Sequence, residues 1–473
     1  MLYGKRYASS KNKYFRYMKN SLSVLLLIAI TLSPLSGQEK EKKEKVGWKF
    51  GGALPAITYD SNLGFQYGAL VEFFNYGKPS VYPDFLDHTY TEISRFTKGS
   101  GIYRMMYESF RIIPGVHWVS DLSYLPDEAT DFYGFNGYES VFNSEWATYD
   151  KKTGPEYPYR STMFYRFRRN QFRFKNDFEG KLAGEYIKWS AGFAFQNFDV
   201  GSVNIEKLNK GREYPLPAVS DSLGLFELYR LNGLISDNEA DGGWVNSLKF
   251  GVVWDNRDNR PNPMKGVWTE LGFEFAPGFL GNDWSFSRFY LTHRQYFTLI
   301  ERDLSFVYRL GYQTTLSGDV PFFYRSQVIT SLLTGATNEG LGGSSTLRGV
   351  LRNRVIGDGF AYGNFELRWK PFHFTLFNQE SYIGINLFYD TGIVTRKIKL
   401  PENFEAQFDQ GPYNGDSFAD YFIPGEEKLH HSYGISIMPV WGQNFVIAVD
   451  IGKAVNIQDS DKLGFSINLN YLF

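Results

Sequence analysis

The residues of this chain best placed to do chemistry lie in two stretches. Gly340-Leu-Gly-Gly-Ser-Ser-Thr-Leu-Arg-Gly349 sets one arginine among glycines, so the backbone can turn tightly and approach a wall closely while a single cation projects from the tip. About one hairpin later, Ile383, Ile385, Leu387 and Tyr389 alternate with Gly384, Asn386, Phe388 and Asp390, which marks a strand with one oily and one polar face. Asp390 falls on the polar face. An arginine on a glycine-bordered loop and a carboxylate on the inward face of a strand suit a charge-assisted pair that pins a loop inside a barrel.

Other chemistry is sparse. The chain carries no G-x-S-x-G elbow, no H-E-x-x-H pair and no G-x-x-x-x-G-K-[ST] loop. Its six histidines are His88, His117, His293, His373, His430 and His431, and only the last two are neighbours. Adjacent residues of a strand point to opposite faces, so no shared metal is expected there. Asp255-Asn-Arg-Asp-Asn-Arg-Pro-Asn-Pro-Met-Lys-Gly266 is acidic enough to raise the question of calcium. It lacks the regular glycine and terminal glutamate of a calcium loop, and a Pro- and Asn-driven turn is the better reading. The expectation is a protein that is not an enzyme, with no cofactor and no metal.

The surrounding elements must be strands. Aromatic residues make up 18% of the 473 residues and glycine numbers 47, while the mean hydropathy is only -0.34. Much Phe, Tyr and Trp without long apolar runs is what a barrel with a lipid-facing band and a polar interior requires. The net charge is -1, and no basic stripe marks a nucleic-acid surface. With no cysteine there is no disulfide framework, thiolate metal site or lipid-anchor cysteine. Lys and Arg scattered through residues 5–19, the apolar run Leu22 to Leu32 and the small residues before Gln38 read as a signal peptide over 1–37, with Met18 as an alternative start. That run is shorter than the ~20 residues of a spanning helix. Residues 38–47 read as a short periplasmic linker and 48–473 as the barrel.

Alternating patterns place a series of strands, the first at Trp48 to Thr58 and the second at Gly64 to Phe74, and their count reaches sixteen with several boundaries set by the family resemblance that the Arg348 and Asp390 motifs carry. Among the later ones, Phe172, Phe174 and Phe178 alternate with Arg173, Lys175, Asp177 and Glu179, which a wet lumen accepts. Strand eleven is Leu304 to Gln313, strand twelve Ala361 to Lys370, and strand thirteen carries Asp390. The four longest connections follow strands five, seven, eleven and thirteen, so they share one side of the membrane. The loop from 314 to 359, which bears Arg348, is too long for a simple connection and is expected to be functional or to fold inward. The connection containing Asp131-Phe-Tyr-Gly-Phe-Asn-Gly-Tyr138 reads as a self-packed surface loop rather than a sugar-stacking site. In the last strand Leu463, Phe465, Ile467, Leu469, Tyr471 and Phe473 alternate with Gly464, Ser466, Asn468 and Asn470. Left open as an edge, such a strand would invite aggregation, which barrel closure prevents.

Leu347-Arg348-Gly349 resembles the [V/L]RG[F/Y] signature of the sixth outer loop in the BamA and two-partner-secretion transporter superfamily, departing at Val350, where an aromatic is usual. Phe388-x-Asp390-x-Gly392 resembles the family's partner motif on strand thirteen, and Asp255 to Gly266 its turn between strands eight and nine. Phe465, Ile467, Leu469, Tyr471 and Phe473 resemble its C-terminal β-signal. The resemblance implies an all-β, 16-stranded antiparallel transmembrane barrel of the outer membrane of a diderm bacterium, with an inward-folded loop between strands eleven and twelve. It also implies a clamp of Arg348 on Asp390, with Phe388 and Gly392 shaping the wall. A lateral seam where Trp48 and Phe50 meet Phe473 is implied too. With the strand pattern beginning at Trp48, the expectation is a member lacking the periplasmic POTRA domains usual in the family. The implied function is insertion or translocation of proteins as a subunit of a larger complex. The partners would be outer-membrane lipids, periplasmic or lipoprotein subunits, and client outer-membrane or secreted proteins. An accessory barrel that organises a complex, or a passive pore, is the alternative.

Overall fold

The structure is a computed structural model that describes residues 46–469 apart from 79–80, 82–84, 149–158, 211–223, 260–261, 334, 338–339, 377–378, 402–403, 409–416 and 442–444. The expected signal peptide, the start at Met18, most of the linker, and Tyr471 and Phe473 lie outside the described residues. The barrel strands are β1 (Trp48–Pro55, resuming at Thr58–Asp60), β2 (Gly64–Asn75), β3 (Asp87–Phe96), β4 (Gly101–Ser109) and β5 (Val116–Leu125). They continue as β6 (Arg166–Ala183), β7 (Ile187–Gly201), β8 (Ser247–Asp255), β9 (Gly266–Ala276), β10 (Phe286–Ile300) and β11 (Leu304–Gly318). The last five are β12 (Gly359–Leu376), β13 (Gln379–Arg396), β14 (His430–Trp441), β15 (Phe445–Ala454) and β16 (Leu463–Leu469). Each pairs antiparallel with its chain neighbour, and β1 meets β16 through Tyr59↔Ile467 and Asp60↔Ser466, so the sheet closes.

Alternation decides which face is which. On β11, Ser305, Val307, Arg309 and Gln313 are buried in the lumen, while Leu310 and its neighbours on the same face meet lipid. On β6, Lys175, Asp177 and Glu179 point inward, and Phe172 and Phe174 are exposed. Several strands run longer than their sequence pattern shows. Strand β12 covers 18 residues because it continues past Pro371 through a register shift between Trp369 and Phe372; a bulge is where a strand tolerates a residue that cannot donate. Conversely β1 is interrupted after Pro55, three residues beyond a bulge that ends at Gly52.

The long connections 126–165, 202–246, 319–358 and 397–429 all leave the same end of the barrel. They do not pack separately. Phe132, Phe164, Phe226, Tyr229, Phe322, Phe323, Phe404 and Phe422, drawn from all four, share one hydrophobic core. The 126–165 connection packs on itself, as in Tyr133 against Phe142 and Trp146 against Phe164, and also against the other loops, because aromatic rings bury more surface when several loops pool them. This core forms a cap over the outer mouth. Below it the third long loop descends into the lumen: Leu332 N donates to Glu270 Oε1 at 2.8 Å on β9, and Gln313 Nε2 of β11 donates to Gln327 O at 2.8 Å.

Candidate functional site: the loop clamp and the seam

The tip of the inward loop is built by glycine and one threonine. Gly342, at φ +121°, has no room for a side chain, since a Cβ there would lie 2.0 Å from Leu351 O. Thr346 Oγ1 accepts from Gly342 N at 2.9 Å and so holds the turn closed. Leu347, fully buried, anchors the tip among Val328, Leu341, Val350, Val355, Phe360, Tyr362, Val394 and Ala454. Gly392 leaves the space that Leu341 and Leu347 fill, because a Cβ on it would sit 3.0 and 3.1 Å from their methyl carbons.

Arg348 then has one direction to point. Its Nε and Nη2 donate to Asp390 Oδ2 and Oδ1 at 2.9 and 2.8 Å, and its backbone N–H adds a third bond to Oδ2 at 3.0 Å. Nη1 reaches Glu366 Oε1 of β12 at 2.5 Å, and the guanidinium lies 3.7 Å over the Phe388 ring. Asp390 is wholly buried and Arg348 is 7% exposed. This is the bidentate geometry in which arginine grips a carboxylate most firmly.

The surrounding shell keeps the polar atoms paired. Asn364 donates to Asp390 Oδ1 at 2.8 Å and to Thr346 O at 2.6 Å, and its own oxygen accepts from Arg309 Nε at 2.9 Å. Arg368 Nε holds the second oxygen of Glu366 at 2.7 Å. Glu366 was legible from sequence as a polar-face residue of strand twelve, but nothing in the pattern marked it as a second anion for Arg348. Asn364 and Arg309 gave no signal beyond inward alternation.

The tip also touches the closing strands. A Cβ on Gly349 would come within 2.6 Å of Gly452 C on β15, and one on Gly464 of β16 within 2.8 Å of Gly349 Cα. Loop backbone thus rests directly on strand backbone, a contact that three glycines permit. At the seam itself, Ser61 N donates to Phe465 O at 2.9 Å, and the Tyr59 and Phe465 rings lie 5.6 Å apart. Trp48 and Phe50 pair with Asn75 and Phe73 of β2. The described closing pairs fall further along the strand, at Tyr59 and Asp60, with Ile467 opposite Tyr59. Leu469 pairs with Ile447 of β15.

The turn between β8 and β9 is held by Asp258, whose Oδ1 accepts from Asn259, Met264 and Lys265 N–H groups at 2.9, 3.1 and 3.2 Å. Arg257 grips Asp255 with Nε and Nη2 at 2.8 and 3.0 Å. The carboxylates here close a turn and brace an arginine.

A family model described as the Omp85 superfamily domain matches residues 135–471, more than half of the chain. The chain belongs to the Omp85 superfamily. Among solved structures, the Omp85 barrel resembles BamA from Haemophilus ducreyi lacking POTRA domains 1–3, at 15% identity and a TM-score of 0.51, over 90% of this chain and 70% of that one. CdiB from Escherichia coli aligns at 10% identity and a TM-score of 0.47, over 88% of this chain and 62% of that one. No curated protein matches the chain by sequence. The protein is an Omp85 barrel of the outer membrane of Gram-negative bacteria.

Proposed function

We propose that this Omp85 barrel assists the insertion or translocation of other polypeptides at the outer membrane by parting its β1/β16 seam, working with a periplasmic or lipoprotein partner. The observation that carries the reading is the contact of the clamped tip with the seam strands. Arg348 fixes the loop to β12 and β13, and Gly349 lies against β15 and β16. Any opening of the seam must slide β16 past a loop that the clamp holds still. Among the described residues two registered pairs join β1 to β16, against eleven between β9 and β10. Among the described residues this junction has the fewest ladder pairs of any between neighbouring strands, and fewer ladder bonds lower the cost of parting it.

The chain has no cysteine, so a single engineered pair can lock the seam. Tyr59→Cys with Ile467→Cys joins residues that face each other across the closure, at a spacing that antiparallel partners offer to a disulfide. In a strain depleted of the native protein, the oxidised pair should fail to restore normal outer-membrane protein assembly, and reductant should restore it. Full complementation by the locked barrel would overturn the transport reading and leave a scaffold that organises a complex. Recovery of a periplasmic or lipoprotein subunit in a mild-detergent pull-down tests the partner; its absence from pull-downs of the native protein counts against a subunit role.

A further inference from the structure

The inward loop bonds to β6, β9 and β11 to β13. Beside it lies a cavity of about 760 Å³ lined by β1 to β6, β15 and β16, with Ser344, Ser345 and Arg352 of the loop on its wall. It extends from Glu72 and Phe445, near the strand ends on the side of the chain's N-terminus, to Pro126, Asp127 and Arg169 at the cap. At the outer end the cavity meets the cap core, where the Arg169 guanidinium lies 5.1 Å over the ring of Phe198, one of its members.

Three cations line this cavity, and two are matched. Arg104 Nε meets Asp121 Oδ2 at 2.6 Å, and Arg352 Nη2 meets Asp127 Oδ2 at 2.7 Å. Arg169 is only 4% exposed, yet its Nε and Nη2 have no hydrogen-bond partner among the described residues. The carboxylates on the same wall are already engaged. Glu92 accepts from Gln66 and Ser94 at 2.9 and 2.6 Å, Asp60 caps the turn at Asn62 at 2.6 Å, and Asp127 is held by Arg352. Removing a guanidinium from bulk water without a counter-ion is costly, and a preformed fork of N–H donors at the end of a polar cavity matches a planar or tetrahedral oxyanion.

We propose that the capped end of the lumen cavity is a binding site for one oxyanion, a carboxylate or a phosphate, held by Arg169 with Arg352 adding positive field. The site depends on the barrel and its cap and not on transport, so it stands or falls separately from the seam. A free phosphate or the terminal carboxylate of a polypeptide segment entering the lumen would present the same chemistry.

The test uses the full barrel in a non-ionic detergent, titrated at constant ionic strength with inorganic phosphate, with a short peptide bearing a free C-terminus, and with the same peptide amidated. Calorimetry and the thermal unfolding midpoint are the readouts. Saturable binding of phosphate or of the free-acid peptide, weakened roughly tenfold or more by Arg169→Gln, is the expected result. Phosphate binding alone identifies an inorganic or headgroup source, and discrimination between the free and amidated peptides identifies a polypeptide. Equal responses from native protein and Arg169→Gln, or a response that chloride reproduces, would show that lumen water alone satisfies the guanidinium and would overturn the site. Should Arg169→Gln fail to fold, Asp127→Asn decides: removing the nearest competing carboxylate should tighten oxyanion binding, and unchanged or weaker binding sinks the proposal.

Discussion

Arg348 holds three partners with one side chain: the Asp390 carboxylate, the Glu366 carboxylate and the face of Phe388. Truncation leaves two buried carboxylates without their shared cation. Arg348→Ala should therefore cost about 3–5 kcal/mol at the clamp, less to the extent that lumen water reaches the site. The barrel should keep its fast gel mobility when unheated while the loop becomes sensitive to added protease; a loop as resistant as in the native protein would refute the clamp. Arg348→Lys should recover little, because an ammonium cannot donate in a planar fork to Asp390 while also reaching Glu366. Glu366→Gln should be the mildest of the set, since the main grip on Asp390 survives. Thermal midpoints ranked native, Glu366→Gln, Arg348→Lys, Arg348→Ala are the expected order.

Individual elements couple the clamp to the seam through backbone contact rather than side-chain affinity. Gly464→Ala would place a methyl 2.8 Å from Gly349 Cα, so either the loop tip or β16 must move. The expected outcome is faster amide hydrogen exchange over residues 344–351 together with a lower thermal midpoint. Gly115, at φ +75° with nothing within 4 Å of a Cβ, is the matched control. Gly115→Ala should cost only about 1 kcal/mol of backbone strain and leave the loop amides unchanged. If the two substitutions behave alike, the glycine contact at the seam is incidental. The interrupted β1 belongs at this scale too: a bulge and a proline in the first strand limit how much of it can pair across the closure.

Across the whole molecule, the four long outer loops join strand-end residues such as Phe198 and Phe286 in one hydrophobic core at the outer end of the barrel. In planar bilayers the intact protein should show no stable large-conductance pore, and deleting the 126–165 connection should produce one; a large open conductance of the native protein would mean that the cap does not cover the mouth. Burial pushes the phenols of Tyr133, Tyr138, Tyr165, Tyr229 and Tyr324 in the cap above the ordinary tyrosine range, helped at Tyr138 by the adjacent Asp459. A group whose folded pKa is raised stabilises the fold below its unfolded value and loses that contribution as pH climbs. The cap should accordingly weaken above about pH 10, the ordinary tyrosine value, where an unfolded chain releases phenolic protons and the cap does not. Tyrosinate absorbance should show a fraction of the phenols titrating late and together with loss of the cap; a single unperturbed titration would contradict this.

Sequence alone determined the sheet. Period-two alternation is a local property: each side chain's face follows from its neighbour's, so the strands and their lumen face could be read without coordinates, while the count of sixteen and the shared side of the long loops also leaned on the family resemblance. The glycines around Arg348 and the polar face of Asp390 were legible for the same reason. Tertiary structure decided what alternation cannot encode. Glu366, Asn364 and Arg309 join the clamp, Gly452 and Gly464 bear the loop tip, four loops share one aromatic core, and Arg169 is buried with its Nε and Nη2 unbonded among the described residues. Each of these depends on which distant residues the closed cylinder brings face to face, and that distance is set by curvature and closure rather than by any stretch of the chain.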